Sequence, residues 1–417
     1  MLTRHVEAAR TSIDLSAMYW NLLGEEDRKV YSDAEMTKFG ADRGKKLLFA
    51  LKDAAVRGVK IRVLTAKTSP GVDESRDKTC NLSSEVQMLV HAAARNVQVR
   101  CWSGPEWYGS GILHQKLWVF DHQHVYVGSA NMDWKSLAQV MEVGVVMENL
   151  SPGSEVIQDM QRLFETWWMF ASPDLLPAKT GRYFSEKFQH ELQVPAWSMY
   201  LPETKRREDP FVEAGFSALG NISHQLQTPF SGLSTGNDSE VASQMFVAAA
   251  PMEATAAHSR AFDEDALVYT IRSAKSFVSL SVMDFVPFSM YTPGPLHWPA
   301  LTDALLAGVY SKPGLQCTGR LEIKIFRVPG WQNTTSSAEM KASWPSFTRV
   351  NHAKYIVTDS RANVGTSNME WGYFYTTAGA SVNTNHEPTR KALEKVFERN
   401  WNSSYATLLE EVKSEGP

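Results

Sequence analysis

The sequence predicts an α/β protein built as two pseudo-repeated halves, on three observations. A set of polar residues occurs twice, as His114-Gln-Lys116 with Asp121 and Gly128-Ser129-Ala130-Asn131, and again as His352-Ala-Lys354 with Asp359 and Gly365-Thr366-Ser367-Asn368. Both copies run His-x-Lys, four residues, Asp, and the gap that follows to Gly is six residues in the first and five in the second. At about 5% average usage per residue type, the first copy alone has a chance probability of roughly 10⁻⁸ per start position. The lead-in to each motif repeats as well: residues 9–20 align with 274–285, each a helix end running into a strand, and residues 96–102 align with 321–326 as a second strand before each motif. Between these segments the apolar residues alternate between the period of a strand and that of a helix, which is α/β order.

The elements follow in sequence. After the opening strand a helix is expected over 34–57, a strand over 59–65, a helix over 84–95 and the strand at 96–102. Leu117, Val119, Val125 and Val127 alternate around the first motif as two short strands, and Tyr355, Ile356 and Val357 precede Asp359 in the second. On a strand, residues i and i+2 project from one side, so His114 and Lys116 face one way, as do His352 and Lys354. Gly128-Ser129 permits the turn that brings Asn131 beside them. The halves are expected at 1–175 and 245–417, joined by an irregular segment at 176–244 that carries Lys205-Arg-Arg207, Glu208-Asp209 and a Ser/Gly/Thr-rich run from 231 to 239. That segment reads as a linker or as a rim shaping access to a cleft. In the second half a helix near 299–306 runs into Ser311-Lys-Pro-Gly-Leu-Gln-Cys317, with no counterpart of the strand at 59–65. The opening strands lie 265 residues apart and the motif histidines 238, which makes the second half about 27 residues shorter. A missing internal strand leaves unpaired backbone, so a divergent loop or an incomplete gene product is expected there.

Two imidazoles with two ammonium groups and two carboxamides suit phosphodiester chemistry. One ring attacks phosphorus, the other protonates the leaving oxygen, and fixed cations and amide donors hold the phosphoryl charge. Histidine serves both tasks because its pKa lies near working pH, so two rings in one site can settle into different protonation states. A lone histidine on a strand is more often a core or surface residue, and His91, His122, His124, His258 and His386 are read so. Ser129 and Thr366 either touch phosphate or only turn the chain.

The duplicated His-x-Lys-x4-Asp motif resembles the signature of the phospholipase D superfamily. The match is nearer to the animal lysosomal 5′→3′ exonucleases of that family, on Gly128-Ser-Ala-Asn-Met-Asp-Trp134-Lys-Ser-Leu137, Glu142-Val-Gly-Val-Val-Met147, Val350-Asn-His352 and Gly365-Thr-Ser-Asn368, and it runs from about residue 9 to 404. The resemblance implies two α-β-α sandwich halves with one active site at their interface. It makes His114 the nucleophile that forms a phosphohistidine and His352 the general acid, or the reverse, with Lys116, Lys354, Asn131 and Asn368 holding the non-bridging oxygens in place of a metal. Glu142 matches the family acid that orients a catalytic ring through Nδ1, whereas the corresponding Thr376-Thr377-Ala378-Gly379 carries no carboxylate. Asp121 and Asp359 are expected in supporting hydrogen bonds behind the pocket. No metal or other cofactor is implied, and a homodimer is. The family also has an upstream strand and a membrane anchor further out, and the abrupt start at Met1 leads us to expect that both are missing here.

Composition agrees with a folded enzyme: 417 residues, 43% hydrophobic and 11% aromatic, can bury a large core. A net charge of −4 and the lack of a long basic stripe make duplex wrapping improbable. A single strand of DNA or RNA needs only a local basic groove with aromatic residues, and Tyr19, Trp20, Trp107, Tyr108, Trp134 and Trp371 lie near the motifs. Hydrolysis or head-group exchange of a phospholipid is the alternative substrate reading, and a catalytically inactive binding protein is the alternative from another class. Three cysteines, Cys80, Cys101 and Cys317, allow at most one internal disulfide, and their spacing does not suggest zinc. No stretch is long and apolar enough to span a membrane, and the N-terminus lacks a signal-peptide pattern. Six Asn-x-Ser/Thr sequons begin at Asn81, Asn149, Asn221, Asn237, Asn333 and Asn402, against roughly two expected. They point to a glycoprotein of the secretory pathway, and the resemblance implies the lysosomal or endosomal lumen.

Overall fold

The computed structural model describes residues 1–67, 80, 82–108, 110–151, 154–171, 245–251, 260–291, 296–311, 321–331 and 343–413. The expected linker at 176–244, His258, Cys317 and four of the six sequons lie outside the described residues.

Two six-stranded sheets carry the molecule. The first is built from β1 (Ser12–Ala17), β2 (Lys60–Ala66), β3 (Val97–Trp102), β4 (Leu117–Phe120), β5 (His124–Gly128) and β6 (Gly144–Met147), in the order β3-β2-β1-β4-β5-β6. β1, β2 and β3 run parallel, and β4, β5 and β6 continue the sheet antiparallel. Period-2 alternation sorts β4 and β5 between two cores. Leu117, Val119, Val125 and Val127 face one, and Trp118, Phe120 and Tyr126 face the other, which is lined by the helices Leu2–Ala8, Asp42–Val56 and Ser84–Ala92. The helix expected over 34–57 is two helices, Asp33–Phe39 and Asp42–Val56, because Gly40 takes a left-handed φ of 89° and ends the first. Ser32 and Glu35 form a capping box at its start, and Ser83 caps Ser84–Ala92. A Cys80–Cys101 disulfide, with Cα atoms 5.6 Å apart, ties β3 to the chain entering that last helix.

The second sheet comprises β7 (Met245–Ala250), β8 (Ala261–Phe262), β9 (Val278–Ser281), β10 (Tyr355–Thr358), β11 (Ala362–Gly365) and β12 (Gly379–Thr384), in the order β8-β7-β12-β11-β10-β9. The β10–β11 hairpin repeats β4–β5, and β9 repeats β1 beside it. Beyond β9 the repeat fails. Lys324–Phe326 is a strand, as its alignment with 96–102 anticipates, but it pairs antiparallel with Ala406–Leu408 in a separate two-stranded sheet, whereas β3 belongs to the main one. In the first half β3 reaches β1 only through β2. Among the described residues the second half has no strand in that place, so Lys324–Phe326 has nothing to bridge it to β9 and instead leaves Ile323 and Ile325 exposed. The sheet grows from its other edge, where the apolar run Met245–Ala250 is buried beside β12.

The halves share a core. Leu117, Val119, Val125 and Val127 meet Val247, Ala249, Ala380 and Val382 around Met160, Leu163, Phe164 and Trp167 of the helix Glu155–Phe170. Arg260 makes a buried bidentate pair with Asp159 of that helix, at 2.5 and 2.9 Å. Two main-chain clamps lie near the motifs. Ala378 N donates to Ile112 O and His114 N to Ala378 O, while Met141 N donates to Val350 O and His352 N to Met141 O, all at 2.9–3.0 Å. At the first clamp Gly111 has φ 88°, and a Cβ there would stand 1.8 Å from Thr376 O, so only glycine lets the halves approach this closely.

Candidate active site

In each motif the histidine is the third residue ahead of the hairpin's first strand, and the clamps bring the two together. The rings of His114 and His352 lie 6.3 Å apart, centroid to centroid, at 67°. His114, Lys116 and Lys354 are almost wholly buried, and so are Asn131 and Asn368. The two lysines repeat one local arrangement: Lys116 Nζ donates to His114 O at 2.7 Å, and Lys354 Nζ to His352 O at 2.8 Å. Among the described residues neither ammonium has a carboxylate within salt-bridge distance, although each is inside the protein. Such a pocket is electrostatically incomplete until an anion enters.

The carboxylate serves the opposite half. Glu142, from the first half, receives a hydrogen bond from His352 Nδ1 of the second, at 2.8 Å to Oε2 and 3.0 Å to Oε1. This fixes the proton on Nδ1 and leaves Nε2 for chemistry. Among the described residues His114 has no such partner and its Nδ1 is buried without a hydrogen bond, and its ring is held by an edge contact to Tyr373 at 4.9 Å.

The charges set the protonation states apart. Burial, then Lys116, Lys354 and His352, push His114 well below the usual histidine value, against a backbone hydrogen bond with Thr366. Burial and Lys354 also lower His352, but Glu142 opposes them through both its hydrogen bond and its charge. His352 therefore holds a proton more readily than His114. Burial brings Lys354 down to about 7, with Glu142 and Asp284 working the other way, and burial and Lys354 depress Lys116 strongly. An incoming phosphoryl group would restore both lysines to full charge.

The Asn residues are aimed by asymmetric neighbours. Asn131 Nδ2 lies 3.5 Å from Tyr19 Oη, and Tyr19 Oη donates to Asp133 at 3.2 Å. Asn368 Nδ2 donates to Asp284 at 2.7 Å and to Tyr373 Oη at 3.3 Å. Among the described residues, both Oδ1 atoms are buried without partners. Tyr19 and Asp284 occupy equivalent places in the repeat, so one wall of the pocket carries a phenol where the other carries a carboxylate. Asp284 and Tyr373 were not among the residues singled out from sequence. The alignment of 9–20 with 274–285 contained the signal for Asp284, since it places it opposite Tyr19.

The remaining motif residues stand behind the pocket. Asp121 accepts from the backbone N–H of Arg10, Thr11 and Ser12 at 2.8–2.9 Å, and Asp359 from those of Lys275 and Ser276 at 2.8 and 3.1 Å, so each locks the start of β1 or β9 to its hairpin. Ser129 and Thr366 are fully buried and hydrogen-bond the backbone of Val143 and Ala380. Of the six aromatic residues near the motifs, Tyr19 reaches the site. Trp20, Tyr108 and Trp134 are core residues, Trp371 stacks on Tyr375, and the side chain of Trp107 lies outside the described residues. His91 and His122 are exposed, His124 accepts from Asn149 N, and His386 bonds Thr389.

Comparison with known proteins gives the chain its relatives. Residues 2–168 match the family described as cardiolipin synthase, PLD-like domain, and residues 235–314 match the PLD3/4, PLD-like domain. The 5′-3′ exonuclease PLD4 of Mus musculus is 30% identical over 433 residues, covering 97% of this chain and 74% of that protein. Phospholipase D Z of Dictyostelium discoideum is 30% identical, covering 95% of this chain and 83% of its own length. The virion nicking-joining enzyme of vaccinia virus is also 30% identical, with 95% of this chain and 81% of that protein covered.

Proposed function

The chain belongs to the phospholipase D superfamily, and on that premise we propose a phosphodiesterase that works through phosphohistidine, most specifically a 5′→3′ exonuclease on single-stranded DNA or RNA that leaves 3′-phosphates. The observation that carries the chemistry is the pair of buried histidines, 6.3 Å apart, with opposed proton affinities. His114, the more easily kept neutral, attacks phosphorus through a ring nitrogen. The bond from phosphorus to the leaving oxygen breaks, and His352 gives that oxygen its proton. The alcohol departs, His352 is now neutral, and it takes a proton from water as the water attacks the phosphohistidine, which frees the phosphate monoester and His114. Lys116, Lys354, Asn131 and Asn368 donate to the non-bridging oxygens, where the charge develops. Glu142 holds His352 in the tautomer that points Nε2 at the leaving group.

The substrate rests on the relatives bearing exonuclease names and on Tyr19, which stands 38% exposed beside Asn131. Phospholipid turnover is the second reading, supported by relatives named as phospholipases D. The exposed sequons at Asn149 and Asn402 and the disulfide support a luminal, glycosylated protein. The test supplies 5′-hydroxyl single-stranded DNA, RNA and a labelled phospholipid side by side at pH 5 to 7 with EDTA. Release of mononucleotide 3′-phosphates, lost in His114→Ala and His352→Ala, is the expected result. Lipid turnover alone moves the assignment to the second reading, and no turnover from a folded sample rejects both.

A further inference from the structure

The segment leading into His352 carries an arrangement that folding alone does not account for. Phe347 is 82% exposed and has a φ of 57°, and Arg349, two residues on, has a φ of 59°. A bulky residue in the left-handed region is strained, and an exposed ring recovers little of that cost by burial. The loop is nevertheless held firmly. Thr348 Oγ1 donates to Pro345 O at 2.6 Å, Lys135 Nζ to Ser346 O at 3.0 Å, and Arg349 N to Gln139 O at 3.0 Å. Phe347 is thus displayed to solvent by a braced backbone.

Its surroundings interleave cations with rings. The Arg349 guanidinium lies 3.8 Å over the Trp344 ring and donates through Nη1 to Pro329 O at 3.4 Å, Trp344 also packs against Phe39 at 5.2 Å, and among the described residues Arg349 Nε is buried without a hydrogen-bond partner. Arg327 lies 5.2 Å over Trp331, which is 38% exposed. The turn at Gly330 joins the two pairs, since its Cβ position stands 3.5 Å from Trp344 and 3.8 Å from Arg349. Arg349 and His352 are three positions apart, so their Cα atoms lie within about 11 Å even if the chain is fully extended.

We propose that Arg327, Trp331, Trp344, Phe347 and Arg349 form a platform for single-stranded nucleic acid beside the catalytic pocket, with bases stacking on the exposed rings and the guanidinium groups facing the phosphates. It rests on the nuclease reading. Charge complementarity favours this occupant: the chain is net acidic at −4, yet this surface pairs two arginines with rings, the combination that single-strand binding sites use. An apolar lipid tail would make use of the rings and leave the guanidinium groups without a role.

Phe347→Gly separates function from folding, because glycine is at ease at this φ and the variant's melting temperature is expected to equal or exceed that of the wild type. The binding probe is a phosphorothioate-linked oligo(dT), followed by fluorescence anisotropy with the full chain. The expected result is a loss of affinity of about 5- to 100-fold in Phe347→Gly, the range of one stacked base. In Arg327→Gln the slope of log affinity against log salt should fall by about 0.7. Oligonucleotide affinities within twofold of wild type in both variants overturn the platform, as does a Phe347→Gly variant that loses only binding to phosphatidylserine vesicles. Failure of the wild type to hydrolyse ordinary DNA would overturn the nuclease reading separately, since the anisotropy measurement does not depend on turnover.

Discussion

Replacing Glu142 by glutamine tests whether the carboxylate acts by charge or only by shape. The carboxamide oxygen can still accept from His352 Nδ1, whose present distances to the carboxylate are 2.8 and 3.0 Å, so the ring keeps its tautomer and loses the ionic partner. A hydrogen bond to a charged group contributes about 1.5–3 kcal/mol, and its gain over a neutral one is felt when His352 is the imidazolium. A neutral bond contributes about 0.5–1.5 kcal/mol, so about 1–1.5 kcal/mol is lost; if His352 must hold a proton in the first transition state, kcat falls by about 5- to 15-fold, at 1.36 kcal/mol per tenfold. Glu142 raises the proton affinity of His352 against burial and Lys354, so its removal lets the ring deprotonate at lower pH. The alkaline limb of the pH–rate profile should therefore move to lower pH. The assay is kcat and kcat/KM on a 5′-hydroxyl oligonucleotide from pH 4 to 9, with melting temperature as the control. Because the carboxamide remains hydrogen-bonded, the Glu142→Gln variant should melt within a few degrees of wild type. An unchanged kcat and an unmoved alkaline limb would refute the general-acid assignment of His352.

Other outcomes follow from the same geometry. Asp121→Asn removes the charge that three backbone N–H groups donate to, and those bonds outweigh burial to hold the Asp121 pKa below its usual value. The lost stability should be fully present above about pH 4 and shrink as pH falls below it, seen as converging melting curves of variant and wild type, with kcat little changed. Gly111→Ala places a Cβ 1.8 Å from Thr376 O in a left-handed conformation, which should cost at least about 3 kcal/mol and abolish activity; a denaturant midpoint equal to wild type would contradict the clamp. Tyr373→Phe should keep kcat within about tenfold, because Asn368 retains its 2.7 Å bond to Asp284, whereas Tyr373→Ala also frees the His114 ring and should cost more. Orthophosphate binding between pH 7 and 9 should take up protons, since burial brings Lys354 down to about 7 and an anion raises it; calorimetry in two buffers of different ionisation heat reads this, and no uptake would mean that the lysines are already charged.

The residues that make the pocket were legible because chemistry restricts them to a few types at fixed spacing and the chain states them twice. The strands that carry them were legible for the same local reason, an alternation over four or five positions. What lay beyond was set by tertiary partners. Glu142 could be matched to an orienting acid, but its sequence distance to His114 gave no hint that it would reach across to His352, because the crossing depends on the Met141–Val350 and Met141–His352 backbone bonds. Trp20, Tyr108 and Trp134 carry the same side-chain types as Tyr19, and only packing decides which ring is core and which lines the site. The main-sheet membership of Met245–Ala250 was hidden because a continuous apolar run has no period to distinguish a buried strand from a buried helix.

The duplication explains why the site takes this form and why it is no longer symmetric. Two copies of one hairpin, packed face to face through a shared core, necessarily bring two histidines and two lysines into one buried space, and a phosphoryl group is a ligand that can neutralise them together. A symmetric pair would give both rings equal proton affinity, which is poor for a reaction that needs a neutral nucleophile and a protonated acid at once. Each departure from the repeat removes that degeneracy. Glu142 has no counterpart in Thr376–Gly379, so among the described residues only His352 gains a carboxylate, and Asp284, which aligns with Tyr19, adds to Glu142 a second negative charge near Lys354. If this is the purpose of the divergence, restoring symmetry should be harmful even where it adds a hydrogen bond. A carboxylate introduced at Gly379, which matches Glu142 both in the clamps and in strand register, would raise the proton affinity of His114 toward that of His352 and slow the chemical step at acid pH. A variant of that kind, folded and as fast as wild type at pH 5, would show that the difference between the two rings does not matter to the reaction.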